Sequence, residues 1–217
     1  MIPSISKLHL DVLDNTRVQV LQKLQPLVND FVLGGGTALA LQLGHRKSFD
    51  FDFFSERSIT KNLLQKIQRA VGISTVSVDS TDELTVFTPE HIKLTFLQYP
   101  FQRGFDVRSA LYFRYYSAQS IAVQKAYTIG RRGAYRDCFD LYTAFKNNIT
   151  DIGTIIDGAQ KAYGTLFNSK LFLEQLVYFD DMTSFEIVPV GAEKIPPVKA
   201  VNAYLEEQVR IFTANLF

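Results

Sequence analysis

Two aspartates one residue apart, Asp50 and Asp52, follow three glycines, Gly34-Gly35-Gly36, and a threonine, Thr37. A strand turns successive side chains to opposite faces. Ser48, Asp50 and Asp52 alternate with Phe49, Phe51 and Phe53, which predicts an extended segment with three phenylalanines in a core. The serine and both carboxylates then share the other face. Neighbouring carboxylates repel unless a cation or base sits between them. Hard oxygen ligands close to backbone N–H groups freed by glycine suit a divalent metal and a phosphate. The plainer alternatives are a tight strand-to-helix turn that needs glycine only for its backbone angles, and an edge strand whose polar face meets water. The glycine run does not match the phosphate loop, which requires a following Gly-Lys-Ser/Thr, nor the dinucleotide fingerprint.

A second group of reactive side chains lies further on. Cys138, Leu141, Tyr142 and Phe145 recur at helical spacing and predict the buried stripe of a helix over 134–146. At 100° per residue Asp140 falls opposite that stripe, next to Arg136, with Asp137 at its edge. Lys125 lies in a preceding, mostly apolar helix over 117–129, and Gly130 to Gly133 break the two apart. By spacing alone this is a pair of amphipathic helices with surface ion pairs worth little each.

The elements that must position these residues can be read from periodicity. Residues 5–28 read as one or two helices, Phe31-Val32-Leu33 as a first strand, and Thr37 to Leu43 as a short helix with Thr37 near its N-cap. Thr60 is expected to cap a helix carrying Leu63, Leu64 and Ile67 and ending near Gly72. Strands are expected over 73–79, 83–87 and 91–98, the first two joined by the turn Asp79-Ser80-Thr81-Asp82. Helices over 151–163, 168–179 and 197–214 complete the chain. This is an α+β arrangement with a helical second half, the texture changing near residue 110.

Composition sets the outer limits. The 217 residues, 47% hydrophobic and 21% charged, are enough for a substantial core. A net charge of +1 gives no overall basic excess, so a polynucleotide partner would need a local basic patch. The single cysteine, Cys138, excludes an internal disulfide and suits a reducing cytosol. No stretch approaches the roughly 20 apolar residues of a membrane helix, and Met1-Ile2-Pro3-Ser4 lacks a secretory pattern, so a cytoplasmic protein is expected.

Taken together, the two groups resemble the nucleotidyltransferase family of AbiEii/AbiGii-type toxins, within the polymerase-β-like nucleotidyltransferase superfamily. The first signature is matched by Gly35-Gly36-Thr37-Ala38-Leu39, His45-Arg46, Ser48, Asp50, Asp52 and Phe53. Lys125, Arg131-Arg132, Arg136-Asp137 and Asp140-Leu141-Tyr142 match the second. The resemblance implies a nucleotidyltransferase-like mixed sheet over 1–110 and a helical domain over 111–217 that completes the cleft. It further implies an NTP with its phosphates near Gly35, Gly36, Thr37 and Ser48, and Mg2+ bridging Asp50, Asp52 and the triphosphate. Lys125 would approach the phosphates, Asp140 would complete the catalytic set, and Arg46 or Arg136 would help hold phosphate or acceptor. The implied product is a nucleotidylated tRNA or protein plus pyrophosphate, made by a toxin with a separately encoded antitoxin. Superfamily members usually carry a third carboxylate on a later strand. Here no acid lies between Ile92 and Gln98, and Thr95 is the nearest positional match, with Glu90 before it and Asp106 after it. That departure keeps two other readings open: a non-catalytic nucleotide- or protein-binding module, and a kinase-like modifier using the same site.

Overall fold

The computed structural model describes residues 8–102, 104–110, 113–129, 131, 133–182, 184–192 and 194–214. The expectations for Met1 to Ser4, Ile5, Gly130 and Arg132 lie outside them. The chain divides into two compact units, one ending at Ser117 and the other beginning at Ala118.

The first unit is built around a mixed sheet. Helix α1 (Asn15–Leu24) starts at Asp14, whose carboxylate accepts from the Arg17 N–H as an N-cap. It leads through a 3₁₀ turn into strand β1 (Val32–Gly34) and helix α2 (Gly35–Leu43). Then follow β2 (Phe51–Ser55), α3 (Leu63–Val71), β3 (Thr75–Asp79), β4 (Glu83–Phe87) and β5 (Lys93–Gln98). Two short strands that periodicity did not announce, β6 (Val107–Ser109) and β7 (Arg114–Tyr116), complete the sheet. Three residues are too few to show a period of two against a background rich in tyrosine and phenylalanine. The strand order is β3-β4-β5-β2-β1-β7-β6, so β2 lies inside the sheet, and the edge-strand reading of the acid segment is excluded.

Registers fix which side chains share a face. Phe51 and Phe53 stand beside Leu94 and Phe96 of parallel β5, and these beside Val86 and Leu84 of β4. All six are buried, with the Phe53 and Phe96 rings stacked 5.2 Å apart. The opposite face carries the row Gly34, Asp52, Thr95 and Thr85. Phe49 departs from expectation: it precedes the strand and is only half-buried, with the Arg17 guanidinium 5.1 Å over its ring. Ser48 and Asp50 likewise lie ahead of β2, so the acid pair straddles its first residue.

The second unit is helical: α4 (Ala118–Ile129), α5 (Tyr135–Lys146), α6 (Ile152–Tyr163), α7 (Ser169–Val177) and α8 (Val198–Ala214). Asp151 and Asn168 cap α6 and α7 through their side chains. The core of this unit joins Ala122, Cys138, Leu141, Ile155, Phe172, Val201 and Leu205, drawing on all five helices. Among the described residues no helix is long and apolar enough to cross a membrane.

Candidate active site

In the first unit the glycine turn is built around Asp52. Gly34 is the N-cap of α2 and supplies no side-chain hydrogen bond. Gly35 follows with φ +62°, a left-handed conformation that favours glycine. A Cβ at Gly35 would strike the Asp52 Oδ2, and one at Gly34 would stand 2.5 Å from the Phe54 ring. The glycines therefore do two things: they permit the turn, and they let the helix N-terminus come up against a carboxylate. Thr37 lies near the N-cap of α2, as expected, but the N-cap itself is Gly34. Thr37 sits in the first turn of α2, buried, with its hydroxyl 2.7 Å from Ser48 Oγ and donating to the Asp50 carbonyl. Thr37 and Ser48 thus fasten the chain just before β2, while the Asp50 side chain is exposed and Asp52 half-buried.

Arg17 holds the same segment from the other side. Its Nε donates to the Phe49 carbonyl at 2.9 Å, and its guanidinium also pairs with Asp14. Sequence reasoning passed over this residue, since an arginine in an amphipathic helix carries no signal of a partner 32 positions away. Arg46 is buried and donates to the Lys47 carbonyl. The register sets Thr95 directly against Asp52, as its position implied. Glu90 and Asp106 are not in that register: one is in the turn before β5, the other precedes β6 near the far edge of the sheet. Among the described residues no group of three or more His, Cys, Asp or Glu side chains is placed to hold a metal.

In the second unit helical periodicity predicts Asp140 on the outer face of α5, beside Arg136. The structure reverses this. Asp140 is fully buried and Asp137 is 2% exposed, while Arg136 is exposed. Both carboxylates meet the Lys125 ammonium of α4, each at 2.7 Å, and Lys125 is itself only 5% exposed. Packing of α5 against both α4 and α8 buries more of its circumference than a single stripe, which an amphipathic wheel does not anticipate. Asp137, given no role from sequence, is an equal partner in this cluster. Cys138 packs beside it. Burial, with the Asp137 carboxylate adding and Lys125 opposing, pushes its thiol up to about 12.

The mixed sheet with flanking helices and the helical second unit make a nucleotidyltransferase-like fold. MenT4, a nucleotidyltransferase toxin of Mycobacterium tuberculosis, shares the fold with a TM-score of 0.61 at 18% identity, over 94% of this chain and 82% of its own. A candidate nucleotidyltransferase of Helicobacter pylori does so with a TM-score of 0.57 at 19% identity, over 93% of each chain. An uncharacterised protein of Aquifex aeolicus is 30% identical over 164 residues, 71% of this chain and 76% of that one. The chain belongs to the nucleotidyl transferase AbiEii toxin family of type IV toxin–antitoxin systems, whose family model matches residues 19–194. It is a nucleotidyltransferase of the toxin kind.

Proposed function

We propose that this nucleotidyltransferase is magnesium-dependent, works in the cytoplasm, and moves an NMP group from an NTP onto a tRNA or protein acceptor. In this reading a separately encoded antitoxin restrains it. The supporting observation is the turn from β1 into α2, which has no room for a side chain beside Asp52 of the interior strand β2, with Asp50 just ahead of that strand. The donor set fits the metal: two carboxylates of hard oxygen character, at a helix N-terminus whose N-cap residue, Gly34, has no side chain. When bound, magnesium would orient the triphosphate and offset the charge that develops during in-line transfer.

The remaining roles belong to the chain's own groups. Asp50 and Asp52 would hold the metal. The N–H groups of Gly35, Gly36 and Thr37 would receive phosphate oxygens, while the Thr37 and Ser48 hydroxyls keep Asp50 in place. Arg46 and Arg136 would contribute positive charge toward phosphate or acceptor. Lys125 and Asp140 would serve catalysis, with the ammonium held in one position by its carboxylates rather than sweeping freely. Local basic residues such as Arg46 and Lys47 in the first unit and Arg131 in the second are what an RNA acceptor would use, given the near-neutral net charge.

The test is to incubate the protein with Mg2+ and each α-labelled NTP in turn, offering tRNA or cell lysate as acceptor. Labelled acceptor should appear with at least one pairing. In Asp50→Asn and Asp52→Asn variants it should fall by roughly 100-fold or more, the scale for loss of transition-state charge stabilisation. Since Asp50 is exposed, its variant should melt within a few degrees of the parent. No transfer under any pairing, together with no NTP binding by calorimetry, would defeat the proposal.

A further inference from the structure

Thr95 occupies the place on β5 where the register would set a third acid against Asp52. It is 5% exposed, and its Oγ1 is one of the buried side-chain oxygens with no hydrogen-bond partner among the described residues. Its neighbour across the next ladder, Thr85, is satisfied, donating to Glu83 Oε1 at 2.7 Å. The row Gly34, Asp52, Thr95, Thr85 thus contains one carboxylate flanked by a glycine on one side and an unspent hydroxyl on the other. Burying a hydroxyl without a partner costs about 1–3 kcal/mol, so a threonine here calls for a partner, or valine would do as well. Adjacent strands lie about 4.8 Å apart, which puts the Thr95 side chain within reach of whatever Asp52 binds.

We infer that Thr95 is a positioning residue that makes this a one-cation site: its hydroxyl hydrogen-bonds a water carried by the ion that Asp50 and Asp52 ligate, and by adding no charge it leaves no place for a second ion. The inference rests on the magnesium reading above. Chemically, two carboxylates neutralise one divalent cation, whereas a third would supply the surplus charge that a second ion requires. Activation of the acceptor hydroxyl therefore does not come from β5.

Binding of Mn2+ alone, counted by electron paramagnetic resonance on the full chain, tests this without reference to activity. The parent should hold one ion per chain. Thr95→Val, nearly isosteric, should keep one ion with roughly tenfold weaker affinity, as expected for loss of an outer-sphere partner, and should melt no lower than the parent. Thr95→Asp should hold two. A parent that already binds two ions overturns the inference, as does a Thr95→Val protein that binds Mn2+ as tightly as the parent. A parent that binds NTP but no Mn2+, with Asp52→Asn indistinguishable from it, overturns the magnesium reading and this inference with it. An intact Mn2+ site insensitive to Thr95 overturns the inference alone.

Discussion

Replacing Lys125 by methionine removes the only positive member of a buried trio while roughly preserving volume. Both carboxylate contacts are 2.7 Å. At an effective dielectric of about 20 each is worth roughly 6 kcal/mol before desolvation. Because both oxygens touch one nitrogen, they lie within about 5.4 Å of each other and repel by at least about 3 kcal/mol. The gross attraction is offset by the cost of taking three charges out of water, and breaking such a cluster typically costs about 3–5 kcal/mol. That is the loss expected for Lys125→Met in urea unfolding at pH 7. Asp137→Asn keeps the ammonium paired with Asp140 and should cost clearly less than Lys125→Met, which takes that ammonium from both carboxylates. A double-mutant cycle between the two positions should give a coupling of about 1–3 kcal/mol. If Lys125→Met costs under about 1 kcal/mol, or the cycle closes without coupling, the buried-cluster reasoning is wrong. Loss of nucleotidyl transfer under conditions where the variant stays folded would then report a role beyond stability.

Two more outcomes follow from the geometry. Gly35→Ala forces a Cβ onto the Asp52 carboxylate at φ +62°, and should lower stability by about 1–3 kcal/mol in denaturant unfolding. It should also weaken Mn2+ binding; a variant as stable and as metal-competent as the parent would refute the cradle. For Cys138, the folded thiol is held up at about 12 against an ordinary 9.0. Over that window the unfolded chain releases a proton that the folded chain keeps, so stability falls as pH rises from about 9 to about 12. Cys138→Ala should show a shallower alkaline decline, read by urea midpoints. Native protein at pH 8 should resist iodoacetamide by mass spectrometry, and labelling within minutes would contradict the burial.

How much of this was legible beforehand depends on where each signal resides. The strands β2, β4 and β5 and the helices carrying Lys125 and Asp140 announce themselves, because long periodic segments bear on their own burial. The glycine turn was visible as glycine but not as a close approach, since the carboxylate that fills the space of a Cβ lies 17 residues away in sequence. Asp140 was recognisable by motif and misplaced by periodicity. A helix wheel sorts residues by hydrophobicity, and a buried carboxylate satisfied by a lysine on another helix breaks that rule at the point where chemistry is concentrated. Thr37 could be placed near the start of its helix from local pattern, but that its hydroxyl is spent on Ser48 and the Asp50 carbonyl is a tertiary choice that no local pattern encodes.

The tether between Arg17 and Phe49 bears on what counts as the minimal protein. The span that marks the family begins at residue 19 and ends at 194. Arg17, which grips the chain one residue before Asp50, falls outside that span, as do the Asp14 cap that starts its helix and the whole of α8. A fragment cut to the recognisable span would keep every signature residue and lose a support of the first acid on one side and a wall of the helical core on the other. The boundary drawn by family likeness is therefore narrower than the boundary drawn by mechanics.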